Sequence, residues 1–308
     1  MATKQKGAPE DNFNNASVVL TSLCAGAIAG ALAKTTIAPL DRTKINFQIR
    51  QEPYSAKRAL EFLRLTFRNE GFLALWRGNS ATMARIVPYA AIQFTAHEQW
   101  KRILRVDATG KTKGKQFLAG SLAGITSQTI TYPLDLARAR MAVTHKKAYA
   151  TLRQVFVKIY KEEGLLTFYR GYIPTIIGVI PYAGVSFFTY ETLKRLYRER
   201  VDSTPRLHPI AALGFGAVAG MLGQSSSYPL DIVRRRMQTD TYKQYNSILE
   251  TLRVIYKYEG IKGGFFKGLS MNWIKGPIAV GISFATYDST KDIIEKLVSD
   301  LKQFKWNY

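Results

Sequence analysis

A six-residue segment returns three times along the chain, as Pro39-Leu40-Asp41-Arg42-Thr43-Lys44, Pro133-Leu134-Asp135-Leu136-Ala137-Arg138 and Pro229-Leu230-Asp231-Ile232-Val233-Arg234. Its pattern is Pro-x-Asp-x-x-Lys/Arg, and the prolines stand 94 and 96 residues apart. One copy would be explained by a helix start or a kink. Three copies, each after a long uncharged run, are a repeat. Other landmarks keep the same step: Glu70-Gly71, Glu163-Gly164 and Glu259-Gly260, each followed by an aromatic, a base and a glycine at Trp76-Arg77-Gly78, Tyr169-Arg170-Gly171 and Phe266-Lys267-Gly268, then Pro88, Pro181 and Pro277. A period near 95 exceeds the roughly 20 to 50 residues of a solenoid unit. Each repeat must hold several helices.

Composition narrows what the repeats can be. A net charge of +22 over 308 residues, with a pI near 10.0, calls for an anionic partner: nucleic acid, anionic lipid or a phosphorylated small molecule. One cysteine, Cys24, and three histidines leave no disulfide framework and no metal cluster. No phosphate loop and no nucleophile-base pair stands at a useful spacing, so neither enzyme nor cofactor is expected. The mean hydropathy of −0.11 hides alternating blocks. Gln116 to Leu134, Gly171 to Tyr190 and Pro209 to Leu230 are charge-free runs of 19, 20 and 22 residues, and Ser17 to Ala33 adds 17. About 20 apolar residues cross a bilayer. With two further spans near 79–96 and 269–287, the expected fold is an all-α membrane protein with six transmembrane helices. Such spans argue against a soluble nucleic-acid binder.

The unit reads as membrane helix, surface helix, membrane helix. Repeats are expected at 17–110, 111–205 and 206–300, between polar tails at 1–16 and 301–308 that carry no secretory signal. The first helix should start near Ser17. Gly26 and Gly30, Gly120 and Gly124, and Gly216 and Gly220 lie four apart, a spacing that lets membrane helices approach closely. Amphipathic segments at about 55–69, 148–162 and 245–258 should lie along an interface. The second membrane helix of each unit ends in an acid three residues before a lysine: Glu98 and Lys101, Glu191 and Lys194, Asp288 and Lys291. Acids and bases therefore ring both ends, and two alternately broken rings around a central cavity make a transporter. Arg85 and Lys275 interrupt apolar spans, where a charge costs about 2.5 to 3.5 kcal/mol, and so should face a watery interior and meet an anion. Lys34, seven residues before Asp41, shares nearly the same helix face.

These motifs resemble the mitochondrial carriers, three-repeat, six-helix transporters of the inner mitochondrial membrane, over about residues 17–300. The resemblance implies three short matrix helices and a matrix gate pairing Asp41 with Arg138, Asp135 with Arg234 and Asp231 with Lys44. Gln48 and Gln238 would brace it, with Ala142 in place of a third glutamine. It implies a cytoplasmic gate pairing Glu98 with Lys194, Glu191 with Lys291 and Asp288 with Lys101, with His97 replacing an aromatic brace. Cardiolipin would bind at Arg77-Gly78, Arg170-Gly171 and Lys267-Gly268, beside helix N-termini. The resemblance also places a substrate-sorting site at Gly178-Val179, with Tyr182 to stack on a flat ring and Ser227 as a further adenine contact. Lys34, Arg85, Arg235 and Lys275 would take phosphates. Trp76 to Thr82, Ile180 to Gly184 and Lys267 to Trp273 are most similar to the branch that carries coenzyme A. That implies a monomer importing coenzyme A, or dephospho-coenzyme A, in exchange for matrix adenine nucleotide. A carrier of another nucleotide, such as ATP-magnesium/phosphate or ADP/ATP, and a non-transporting membrane scaffold are the alternatives.

Overall fold

A computed structural model describes residues 9–106, 113–145, 148–200, 208–242 and 244–306. The expected repeat joins at 110/111 and 205/206 lie outside them, as do residues 1–8 and 307–308 of the expected tails. The described residues form nine α-helices and no strand. Six are long: α1 (Pro9–Ile49), α3 (Asn79–Ile103), α4 (Lys113–Val143), α6 (Tyr172–Arg200), α7 (Pro209–Thr239) and α9 (Leu269–Trp306). Three are short: α2 (Ala56–Glu70), α5 (Leu152–Glu162) and α8 (Ile248–Gly260). The order long, short, long occurs three times. α1 begins at Pro9, ahead of the expected start near Ser17.

Even α3, the shortest of the six, has 25 residues, about 37 Å at 1.5 Å per residue, against a hydrocarbon core of about 30 Å. By composition alone, one helical stretch among the described residues, Leu165–Arg200, is apolar enough to cross a membrane. The other long helices carry glycine, serine, threonine and glutamine, which dilute their hydropathy. Burial makes up for what composition blurs. Val87, Phe94, Phe187, Phe188 and Phe284 are exposed, whereas Arg140 and Arg236 are the largest fully buried side chains. In a chain surrounded by water, large apolar groups go inside and arginine stays out.

Each long helix holds one interior proline, at Pro39, Pro88, Pro133, Pro181, Pro229 and Pro277. A proline there removes a backbone donor and bends the helix. The short helices start on equivalent caps: the side chains of Ser55, Thr151 and Ser247 accept from the amides of Arg58, Gln154 and Glu250. α2 and α5 end at Gly71 and at the Glu163-Gly164 pair, and α8 ends on Gly260; all three glycines have positive φ. Each short helix covers a small core, one around Phe47, Ala59 and Met271, one around Leu136, Val155 and Ile159, one around Tyr228, Ile232 and Ile255.

The chain divides into two compact units, one of residues up to Ile37 with residues from Gly276 onward, the other Ala38–Lys275. In the larger unit α3 packs along α4 and α6 along α7. The paired glycines are not where helices come closest. A Cβ on Gly120 would meet only His97 at 3.9 Å, and one on Gly124, Gly216 or Gly220 would meet nothing within 4 Å. The tight approach of α6 to α7 is at Gly223 instead, where a Cβ would fall 2.8 Å from the Tyr182 carbonyl and collide with the Ser186 hydroxyl.

Candidate functional site

The proline motifs bring α1, α4 and α7 together, because each bend delivers an aspartate and, three residues later, a base to the same helix face. Within the larger unit they close a ring. Asp41 bonds Arg138; Asp135 accepts from Arg234 at 2.5 Å; Asp231 accepts from Lys44 at 2.7 Å. Gln48 donates to Asp231 at 3.1 Å and Gln238 to Asp135 at 2.8 Å. Ala142, at the third position, contributes only its carbonyl, which accepts from Arg42 and Asn46. The acids are nearly shut off from solvent, Asp135 at 2% exposure. Buried charges persist only when paired and hydrogen-bonded.

The ring takes up more bases than the motif supplies. Asp135 also accepts from Arg85 at 3.2 Å, and Asp41 from Lys275 at 2.6 Å. Arg235 lies 3.7 Å from Asp135 and 4.0 Å from Asp231 and donates to Gln238. Arg85 and Lys275, expected to face a watery interior and meet an anion, meet the ring carboxylates here. Arg85 and Lys275 are long enough to reach down to the ring acids, and Arg235 stands four residues after Asp231 on its own helix face. Lys34 is exposed on α1, in the smaller unit.

Beside the ring, α3, α4, α6 and α7 enclose a cavity of about 650 Å³. Gly178, Val179, Tyr182 and Ser227 line it, with Gln128 and Tyr89. A Cβ on Gly178 would make only ordinary contact with Leu230, at 3.6 Å. The Ser227 hydroxyl is turned to the Gln224 carbonyl, at 3.3 Å. Arg85 lies over the Tyr89 ring, 4.9 Å from its centroid, and donates to Gln128 at 2.6 Å and to Thr131 at 3.2 Å. A pocket of several hundred Å³ with a few convergent polar groups is what a small-molecule site requires.

At the other helix ends the acids and lysines pair locally. Lys101 donates to Glu98 at 2.8 Å, Lys194 lies 3.5 Å from Glu191, and Lys291 pairs with Glu295 at 3.8 Å, each within one helix. The cross-helix pair of Glu98 with Lys194 is thus replaced by two in-helix contacts, which the three-residue spacing makes available without any helix moving. The bond from Lys101 holds the Glu98 carboxyl below its usual pKa.

The base in each aromatic-base-glycine copy, expected beside a lipid site, reaches the end of a neighbouring helix. Arg77 donates to the carbonyls of Thr144, His145 and Tyr149 beyond the end of α4, at 2.5, 2.7 and 2.8 Å. Arg170 does the same beyond α7, to Asp240 and Tyr245, and Lys267 beyond α1, to Arg50. These cations cap helix C-termini, where the dipole and the orphan carbonyls attract them. The glycines that follow all have positive φ, and two sit hard against the next helix: a Cβ on Gly78 would lie 2.9 Å from the Arg138 carbonyl, and one on Gly171 2.9 Å from that of Arg234.

A second ring went unread in the sequence. Glu70 takes Arg42, Glu163 takes Arg140 through both guanidinium nitrogens, and Glu259 takes Arg236 and Lys267. The same arginines reach the carbonyls of Ala142, Gln238 and Gln48 on the neighbouring helix. The signal was present, since each Glu-Gly pair keeps the repeat step. It was obscured in the first repeat, where Asn46 stands at the place of Arg140 and Arg236 and Arg42, one turn earlier, supplies the cation.

Known proteins place this architecture. The family model for mitochondrial carrier protein matches residues 15–108, 110–201 and 205–297. The chain is 58% identical over 289 residues, 91% of its length and 90% of the relative's, to the mitochondrial coenzyme A transporter SLC25A42 of Mus musculus, and 57% identical over the same shares to that of Homo sapiens. Solute carrier family 25 member 16 of Bos taurus is 40% identical over 290 residues, 88% of each chain. The chain belongs to the mitochondrial carrier protein family and is a multi-pass protein of the mitochondrial inner membrane.

Proposed function

We propose that the chain carries coenzyme A, or dephospho-coenzyme A, into the matrix in exchange for adenine nucleotides, by alternating access through two gates. The observation that carries this reading is identity of 58% across nine-tenths of both chains with a relative named for coenzyme A transport. Support comes from the cavity, whose Gly178, Val179 and Tyr182 offer a slot for a flat ring beside the Arg85 guanidinium. The six long helices are read as six spans in the three repeats 17–110, 111–205 and 206–300, with α2, α5 and α8 on the matrix side. The protein works as a monomer, with cardiolipin held by backbone amides at the starts of α3, α6 and α9. No chemical bond is made or broken.

In this mechanism the substrate competes with the gate for its cations. Phosphate groups draw Arg85 from Asp135 and Lys275 from Asp41, leaving the ring held by Arg138, Arg234 and Lys44. A ligand shifts such an equilibrium only by its differential affinity for the two states, and charge-assisted bonds of about 1.5 to 3 kcal/mol each supply that difference. The far-end acids and lysines, released from their in-helix contacts, then pair across helices to close the opposite face.

The test is exchange in liposomes preloaded with coenzyme A, dephospho-coenzyme A, ADP or adenosine 3′,5′-bisphosphate. Labelled coenzyme A should enter against internal ADP. Exchange of ADP for ATP with coenzyme A excluded would assign the chain to another nucleotide, and no exchange of any would assign a scaffold.

A further inference from the structure

The position five residues before each signature proline is Lys34, Gln128 and Gln224 in turn. Gln128 and Gln224 line the cavity from α4 and α7. Gln128 is the informative one. Its side-chain oxygen accepts from Arg85 at 2.6 Å, and because a guanidinium only donates, this bond fixes which end of the amide is oxygen. The other end, Nε2, is buried and has no hydrogen-bond partner. A glutamine serving only to hold Arg85 needs its oxygen alone. This one keeps an NH₂ group, two donors, aligned beside the arginine at the cavity wall, and leaving such a group unmatched is costly.

We infer that Gln128 is a substrate-binding residue: with Arg85 it forms a two-residue clip in which both side chains donate to the same phosphate group of the nucleotide. When phosphate draws the guanidinium from Asp135, the amide moves with it through their shared bond, and Nε2 completes the oxygen shell. The first repeat has Lys34 at this register, a residue that can only donate, which fits a position whose task is donation. This inference rests on the proposed nucleotide exchange.

Donation and propping predict opposite orders for two substitutions. If Gln128 donates to phosphate, Gln128→Lys keeps a donor and should hold the KM for coenzyme A within about threefold of wild type. Gln128→Glu replaces donors with negative charge and should raise it about tenfold or more. If Gln128 merely props Arg85, Gln128→Glu is the better acceptor and should be tolerated, while Gln128→Lys should fail. The measurement is initial coenzyme A/ADP exchange against concentration in liposomes at matched protein, together with the rise in melting temperature that coenzyme A gives each detergent-solubilised variant. Either substitution decides by itself, so a variant that does not reconstitute leaves the other to settle the question. Gln128→Glu at wild-type KM, or the reversed order, overturns the inference while leaving the transport function standing. Wild-type protein that exchanges no nucleotide overturns both.

Discussion

The two ends of the long helices carry the same kind of sequence, an acid and a base three residues apart repeated three times, and the structure treats them in opposite ways. At the proline motifs every acid looks across to another helix, is 16% exposed or less, and shares its oxygens among two or more donors. At the far end Glu98 and Glu191 turn to the lysine of their own helix and stand 60% and 47% exposed. Burial makes the difference. Away from water an unpaired charge is prohibitive and a network must close, whereas in water a local pair is worth little and is readily exchanged. Under the alternating access proposed above, a transporter with one gate shut shows this asymmetry, and the opposite state should show it inverted.

The comparison can be broken most severely at Asp41. Asp41→Lys sets a third cation against Arg138 and Lys275 and should abolish exchange, and adding Arg138→Asp should recover part of it, with the coupling read from a double-mutant cycle in liposomes. Additive losses would mean that the contact carries no energy. Next comes the second ring: Arg140→Ala strands Glu163 below the surface and should cost about 3 to 5 kcal/mol, seen as a much lower melting temperature in detergent, whereas removing both partners should cost less than the sum. Arg77→Ala uncovers three carbonyls past α4 and should cost about 1 to 3 kcal/mol, detectable as faster amide exchange at the end of α4. The smallest effect belongs to the far end, where Glu98→Gln should leave the melting temperature unchanged. It should nonetheless slow turnover if Glu98 pairs across helices in the other state, and an unchanged rate would confine it to its local bond.

How much of this could be read from the chain depends on the distance over which each residue acts. Helices at 56–70, 152–162 and 248–260 fell close to their amphipathic segments because local periodicity specifies them. The ring acids and bases could be named because the repeat supplies its own alignment: three copies of Asp and Lys/Arg at one register have to be related by the fold, whereas Gln48 and Gln238 were named only through the resemblance to the carriers. The same device failed for Glu70 with Arg42, since the partner had moved by one turn and Asn46 broke the register. It also did not reveal which groups Arg77, Arg170 and Lys267 hold. The sequence marks a cation before a glycine, but only the packed structure brings the end of the preceding long helix within its reach. Arg85 and Lys275 stood out by their depth, yet a linear reading could not weigh a substrate that comes and goes against acids that are always present.

Gly78 and Gly171 have a consequence for heredity. Glycine to alanine counts as one of the mildest coding changes, and neither position touches the cavity. Yet a single methyl at either would meet a backbone carbonyl at 2.9 Å, which cannot rotate away as a side chain could. Individuals carrying such an allele would be expected to make less of the folded carrier, with the residual molecules transporting normally. Their deficiency would follow protein abundance and not substrate affinity.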